Sequence, residues 1–208
     1  MKLILASNGN TIFNLLPKIV DQPINQLKIG WVTTAAKGVE DLTYLKTHRQ
    51  IMRKTGWNFA EIDIENKSPK QLKKIFADKD IIHIEGGNTF YLLKAVRKTG
   101  FDKIIKELID RGVTYAGTSA GSYIMCPTIE MSTWKPKPKP RFGLKDLTAL
   151  NYVPFLLSVH YDPKNKELLK KAIRNTEYPV RILTDGQALL IQDDKVTFIG
   201  RGKEVKLK

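Results

Sequence analysis

A chain of 208 residues, 42% of them hydrophobic and 27% charged, holds enough material for one ordinary core, and nothing forces a second, so residues 1–208 are expected to form a single domain. No apolar run approaches the roughly eighteen residues of a membrane span, and Met1–Asn8 turns polar too soon for a signal segment. The one cysteine, Cys126, cannot close an internal disulfide, so a reducing, cytoplasmic setting is expected. Thirty-five Lys and Arg against twenty-one Asp and Glu give +14, but the lysines are spread along expected outer helix faces. No zinc-finger spacing or RNA-recognition motif accompanies them, which speaks against nucleic-acid binding as the main function.

In chain order, Lys2–Ala6 reads as a short buried strand. Thr11 can cap a helix carrying Ile12, Leu15, Leu16, Ile19 and Val20. Lys28–Thr33 is a second strand, 40–54 an amphipathic helix ended by Gly56, and Phe59–Ile64 a third strand. Ser68 and Pro69 supply the N-cap and first position of a helix reaching Ala77. Asp80–Glu85 is a fourth strand broken by Gly86-Gly87, after which Phe90–Val96 and Phe101–Arg111 are helical. Trp134–Arg141 alternates proline with positive charge and predicts extended polyproline-II chain. Val153–Val159 reads as a strand ending at His160, and Asp162 and Pro163 open a helix to Asn175. Val180–Thr184, Ala188–Gln192 and Val196–Ile199 are further strands, with turns at Asp185-Gly186 and Asp193-Asp194. The repeated strand–helix alternation predicts an α/β fold: a doubly wound, mostly parallel sheet with helices on both faces. Sites in such sheets gather beyond the carboxyl ends of the strands.

One such end carries Gly117-Thr-Ser-Ala-Gly121, a G-x-S-x-G between the strand run Val113–Ala116 and a helix-capable segment. That setting is the strained turn that lifts a serine hydroxyl off a sheet, so Ser119 is the candidate nucleophile. A serine needs a general base, and the chain has three histidines. His48 falls on the polar face of a helix and is expected to be exposed; His83 lies inside an apolar strand and reads as a satisfied core residue. His160 ends a strand at the expected site edge and is the candidate base. For the acid that orients it, Asp185 follows another strand end, and Asp146 lies between Ser119 and His160 in the order of an α/β-hydrolase. Asp162 suits a helix cap, and a Ser–His dyad stays open. The N–H groups of Ala120 and Gly87 are candidate oxyanion donors. Asn88 and Thr89 can cap the next helix or touch substrate. Too few histidines and no paired cysteines give no metal motif, and neither glycine cluster has nucleotide-binding spacing, so no cofactor is expected. Cys126, on the helix after Ser119, reads as core.

Glu85-Gly-Gly-Asn-Thr-Phe90, Gly117-Thr-Ser-Ala-Gly-Ser122 and Cys126-Pro-Thr-Ile129, in this order, resemble the dipeptidase E (aspartyl dipeptidase) family of serine peptidases, with cyanophycinase more distantly similar. The resemblance spans the chain. It implies a class I glutamine-amidotransferase-like fold with Ser119 as nucleophile, His160 as the family histidine, and Gly87 with Ala120 as oxyanion donors. Two departures stand out. The aspartate that the dipeptidases carry shortly after C-P-T-I is missing from Glu130–Trp134, and Asp185 instead resembles the acidic triad position of cyanophycinase-like relatives. The family's arginine for an aspartyl side chain is replaced by lysines in Lys164–Lys171, which hold a carboxylate without a bidentate fork.

Together these features predict a serine peptidase on short peptides, with the positive charge favouring acidic substrates by steering. An esterase or amidase on a small metabolite, or a non-catalytic basic binding module on a hydrolase fold, are the alternatives. Monomer and homodimer are both left open.

Overall fold

The computed structural model describes residues 1–134 and 140–207. The core of the Pro–Lys stretch, 135–139, lies outside the described residues, and the polyproline expectation with it. Seven strands form the main sheet: β1 (Lys2–Ala6), β2 (Lys28–Val32), β3 (Asn58–Ile62), β4 (Ile81–Ile84), β5 (Thr114–Thr118), β8 (Gln187–Gln192) and β9 (Lys195–Gly200). Their order is β3-β2-β4-β5-β1-β8-β9. The first five are parallel, and the β8–β9 hairpin adds antiparallel to β1.

Alternation along β1 explains the layers. Leu3 and Leu5 point into one apolar cluster, shared with residues of α3 (Pro69–Phe76), α4 (Thr89–Thr99) and α5 (Phe101–Asp110). Ile4 and Ala6 point into the other, shared with α1 (Gly9–Ile19) and α2 (Thr43–Lys54). Successive side chains of a strand face opposite ways, so a strand buried on both faces reads as a continuous apolar run. The α/β architecture with helices on both faces is the one expected.

Several local expectations shift. Asn8, not Thr11, caps α1, and its side chain accepts from the Thr11 N–H. A 3-10 turn (Thr34–Gly38) precedes α2, which starts at Thr43 rather than near 40. The helix after the elbow, α6 (Ala120–Tyr123), is a single turn, and Cys126 lies beyond it, fully buried, with burial pushing its thiol up to about 12. The apolar run 153–159 yields only β6 (Leu156–Ser158), because this segment leaves the main sheet and pairs with β7 (Val180–Ile182) in a separate two-stranded parallel sheet. A 3-10 turn (Pro163–Asn165), capped by Asp162 as expected, leads into α7 (Lys166–Arg174). No helix among the described residues is long and apolar enough to cross a membrane.

Candidate active site

Ser119 sits immediately after β5 with φ 48° and ψ −104°, a conformation that non-glycine residues rarely adopt. Its environment enforces the turn. The Ser119 N–H donates to the Ala6 carbonyl at 3.1 Å, and its own carbonyl accepts from Ser122 and Tyr123 at 3.0 and 2.9 Å. A Cβ at Gly121 would stand 2.2 Å from the Ile84 carbonyl oxygen, and one at Gly117 would stand 2.6 Å from the Gly121 backbone. Both elbow glycines are therefore close-approach positions. Ala120 is the first residue of α6, and an N–H at a helix start has no partner within the helix.

The small β6–β7 sheet brings the next two residues together. His160 lies two residues beyond Ser158, and Asp185 three beyond Ile182, the last register pair of that sheet. Bonds from Leu183 N–H to Ser158 and from Tyr161 N–H to Leu183 continue the pairing past the strand ends. His160 Nε2 stands 3.1 Å from Ser119 Oγ, and His160 Nδ1 stands 2.7 Å from Asp185 Oδ1. The His160 hydrogen bond holds the Asp185 carboxyl at about 2 against a partial desolvation. An ionised carboxylate only accepts, so Nδ1 carries the proton and Nε2 presents its lone pair to Ser119. His160 itself has φ 56°. Ser7, fully buried at the end of β1, holds this geometry: its hydroxyl donates to Asp185 Oδ1 at 2.7 Å and accepts from the His160 N–H at 3.0 Å.

The other sequence candidates fall elsewhere. Asp146 is an exposed partner of Arg97 and Thr148, and Asp162 is a cap. Gly87 lies beside the site with φ 150°, where a Cβ would collide with the Ala35 carbonyl at 2.3 Å. Asn88, expected either to cap or to touch substrate, caps: its Oδ1 accepts from Tyr91 N–H and its Nδ2 donates to the Pro140 carbonyl. It is fully buried, so no part of it reaches open solvent.

A cleft of about 380 Å³ opens over Ser119 and His160, lined also by Asp41, Tyr44, His48 and Glu85. Here two expectations fail. His48 is buried, not exposed, and its Nδ1 lies 2.9 Å from Glu85 Oε2. The missed signal is spacing, since Leu45, His48 and Met52 recur at three and four residues and share the inward face of α2. His83 is buried as expected but unsatisfied: neither ring nitrogen has a partner among the described residues. Burial pushes His83 down to about 4. Glu85, which the sequence shows as an acid continuing an apolar strand and opening the Glu85–Phe90 motif, is also buried and accepts four hydrogen bonds. Among the described residues lining the cleft there are carboxylates at Asp41 and Glu85 and no Lys or Arg.

Comparison with known proteins agrees over the whole fold. The model of peptidase family S51 matches residues 3–199. An uncharacterized peptidase of Pasteurella multocida is 30% identical over 205 residues, which cover 97% of this chain and 99% of that one. A peptidase E of a Nostoc species is 27% identical over 215 residues, covering 96% and 86%. A solved structure from Listeria monocytogenes EGD-e, described as a candidate peptidase E, superposes with a TM-score of 0.85 at 27% identity, over 97% of this chain and 98% of that one. The chain belongs to peptidase family S51 and is a serine-type peptidase.

Proposed function

We propose that this peptidase cleaves short peptides through a Ser119–His160–Asp185 triad with a backbone oxyanion pocket. The observation that carries the reading is the line of contacts from Ser119 Oγ through His160 to Asp185, at 3.1 and 2.7 Å, joined from three separate segments of chain. His160 Nε2 takes the Ser119 proton as Oγ attacks the peptide carbonyl. The developing oxyanion is received by the Ala120 N–H at the start of α6, with the Gly87 N–H from the facing loop as the second donor. His160 then delivers its proton to the leaving amine, and water repeats the cycle to free the acyl group. Asp185 fixes the imidazole tautomer and supports its charged form.

On substrate, the whole-molecule charge of +14 favours acidic peptides only through long-range steering. The described cleft wall, where Asp41 is the exposed carboxylate, favours a neutral or ammonium-bearing group on the substrate. The test is fluorophosphonate labelling read by intact mass, followed by a panel of free dipeptides and p-nitrophenyl esters. One adduct in wild type, none in Ser119→Ala or His160→Ala, and turnover of the dipeptides above the esters are expected. A folded wild type that takes no label would sink the mechanism. Faster turnover of aspartyl dipeptides than of neutral or lysyl ones would reverse the substrate reading alone.

A further inference from the structure

A second polar network lies under the cleft, and the proposed reaction does not use it. Glu85 follows β4 directly and is 1% exposed. Its Oε1 accepts from the Gly86 N–H at 2.8 Å and the Thr118 hydroxyl at 2.7 Å. Its Oε2 accepts from the Trp31 indole at 3.1 Å and pairs with His48 Nδ1 at 2.9 Å. Burial alone would raise this carboxyl; the His48 hydrogen bond, the neighbouring histidine rings and the Gly86 N–H outweigh it and hold the group at about 2.

Stability is a weak reason to keep such a group, because a buried ion pair replaced by well-packed apolar side chains is often neutral or stabilising. The placement of the donors offers a better one. Gly86 precedes Gly87, and Thr118 precedes Ser119. One carboxylate oxygen therefore joins the two segments between which the oxyanion would form. They touch there: a Cβ at Gly86 would lie 3.2 Å from Ser119 Cβ. The Tyr44 hydroxyl donates to the Gly86 carbonyl at 3.0 Å, so the Gly86 backbone is held on both sides. Its two restraints come from α2 and from Glu85, and α2 is itself tied to Glu85 through His48.

We propose that Glu85 is a positioning residue for catalysis: through Oε1 it locks the Gly86–Gly87 loop against the Thr118–Ser119 turn and sets the width of the oxyanion pocket. The proposal rests on the triad and oxyanion reading given above. It predicts that weakening the lock costs transition-state binding and leaves ground-state binding alone.

The sharpest test uses Thr118, whose hydroxyl is the link on the elbow side. Thr118→Val removes that link at nearly constant volume, Thr118→Ser keeps it, and Glu85→Leu removes all four bonds. The substrate is the dipeptide cleaved fastest in the panel above, with its trifluoromethyl ketone analogue as an oxyanion-forming inhibitor. For Thr118→Val, kcat is expected to fall about 10–100-fold with KM within about twofold, less than the loss of an oxyanion donor itself. Inhibitor affinity should fall by the same factor as kcat/KM, a correspondence that general loosening of the fold would not produce. Thr118→Ser should stay within about threefold of wild type, and Glu85→Leu, where it folds, should lose at least as much as Thr118→Val. Wild-type kcat in Thr118→Val, or a kcat loss with inhibitor affinity unchanged, overturns the proposal while the labelled wild type keeps the triad reading. An unlabelled wild type removes both.

Discussion

Ser119 stands between two histidine–carboxylate pairs made of similar parts and kept under opposite conditions. His160 and Asp185 meet at 2.7 Å with side chains 42% and 56% exposed, whereas His48 and Glu85 meet at 2.9 Å with side chains 9% and 1% exposed. Water screens the open pair, so its attraction adds little to stability, and its histidine can change charge in the course of a reaction. The buried pair has no such freedom. Changing its charge in a poorly polarisable interior is costly, which suits a group whose task is to hold geometry. The same two functional groups thus divide into a moving part and a fixed part by exposure alone.

The largest effect that would sharpen this contrast is on the open pair. Asp185→Asn offers His160 an amide that can turn its NH2 toward Nδ1 and favour the wrong tautomer. A loss of about 10²–10⁴-fold in kcat at neutral pH is expected, against wild-type turnover for Asp146→Asn, both by steady-state kinetics. Equal losses in the two variants would assign the orienting role away from Asp185.

The buried side should reveal itself in acid. Unfolded His83 gains a proton as pH falls through its ordinary value near 6.5, while the folded residue stays neutral down to about 4. The unfolded state binds more protons in that window, so stability should decline as pH drops from about 6.5 to about 4. Glu85, ordinarily near 4.5 and held at about 2, continues the decline at lower pH. Urea midpoints across this range should fall in wild type and flatten between pH 6.5 and 4 in His83→Phe. An unchanged slope in the variant would mean that His83 is not the group responsible.

The smallest effect concerns the link between β1 and the open pair. Ser7→Ala removes the hydroxyl shared by Asp185 and the His160 N–H. A loss of about 3–10-fold in kcat with unchanged KM is expected, corresponding to about one hydrogen bond's net contribution. Single-turnover labelling by the fluorophosphonate should slow by the same factor; an unslowed rate would show the hydroxyl to be dispensable.

The parts of this molecule that the sequence made legible were local or periodic. G-x-S-x-G after a β-branched run specifies a turn within five residues, and the apolar strands of the parallel sheet are continuous because both faces are covered. His160 and Asp185 could be named from strand ends, although the strands proved to be three residues each in a separate sheet. What escaped was decided by tertiary packing. His48 sits in a helix of charged residues, and only its register with Leu45 and Met52 betrays its direction. Nothing near Ser7 in the sequence marks its role, because its partner lies 178 positions away. Val153–Val159 is apolar through burial rather than pairing, so its length overstated the strand.

The position of β1 has a consequence for the order in which this peptidase comes into being. It is the earliest strand of the sheet, yet its neighbours are β5 and β8, so it stays unpaired while more than a hundred further residues are made. Such distant pairing is slow to form, since loop closure must precede any contact it rewards. The Ser119 elbow can assemble once β5 docks, but Asp185 and the β8–β9 hairpin come last. A nascent or interrupted chain would therefore carry Ser119 without Asp185, and on the triad proposed above hydrolytic competence would be gained only as the sheet is finished.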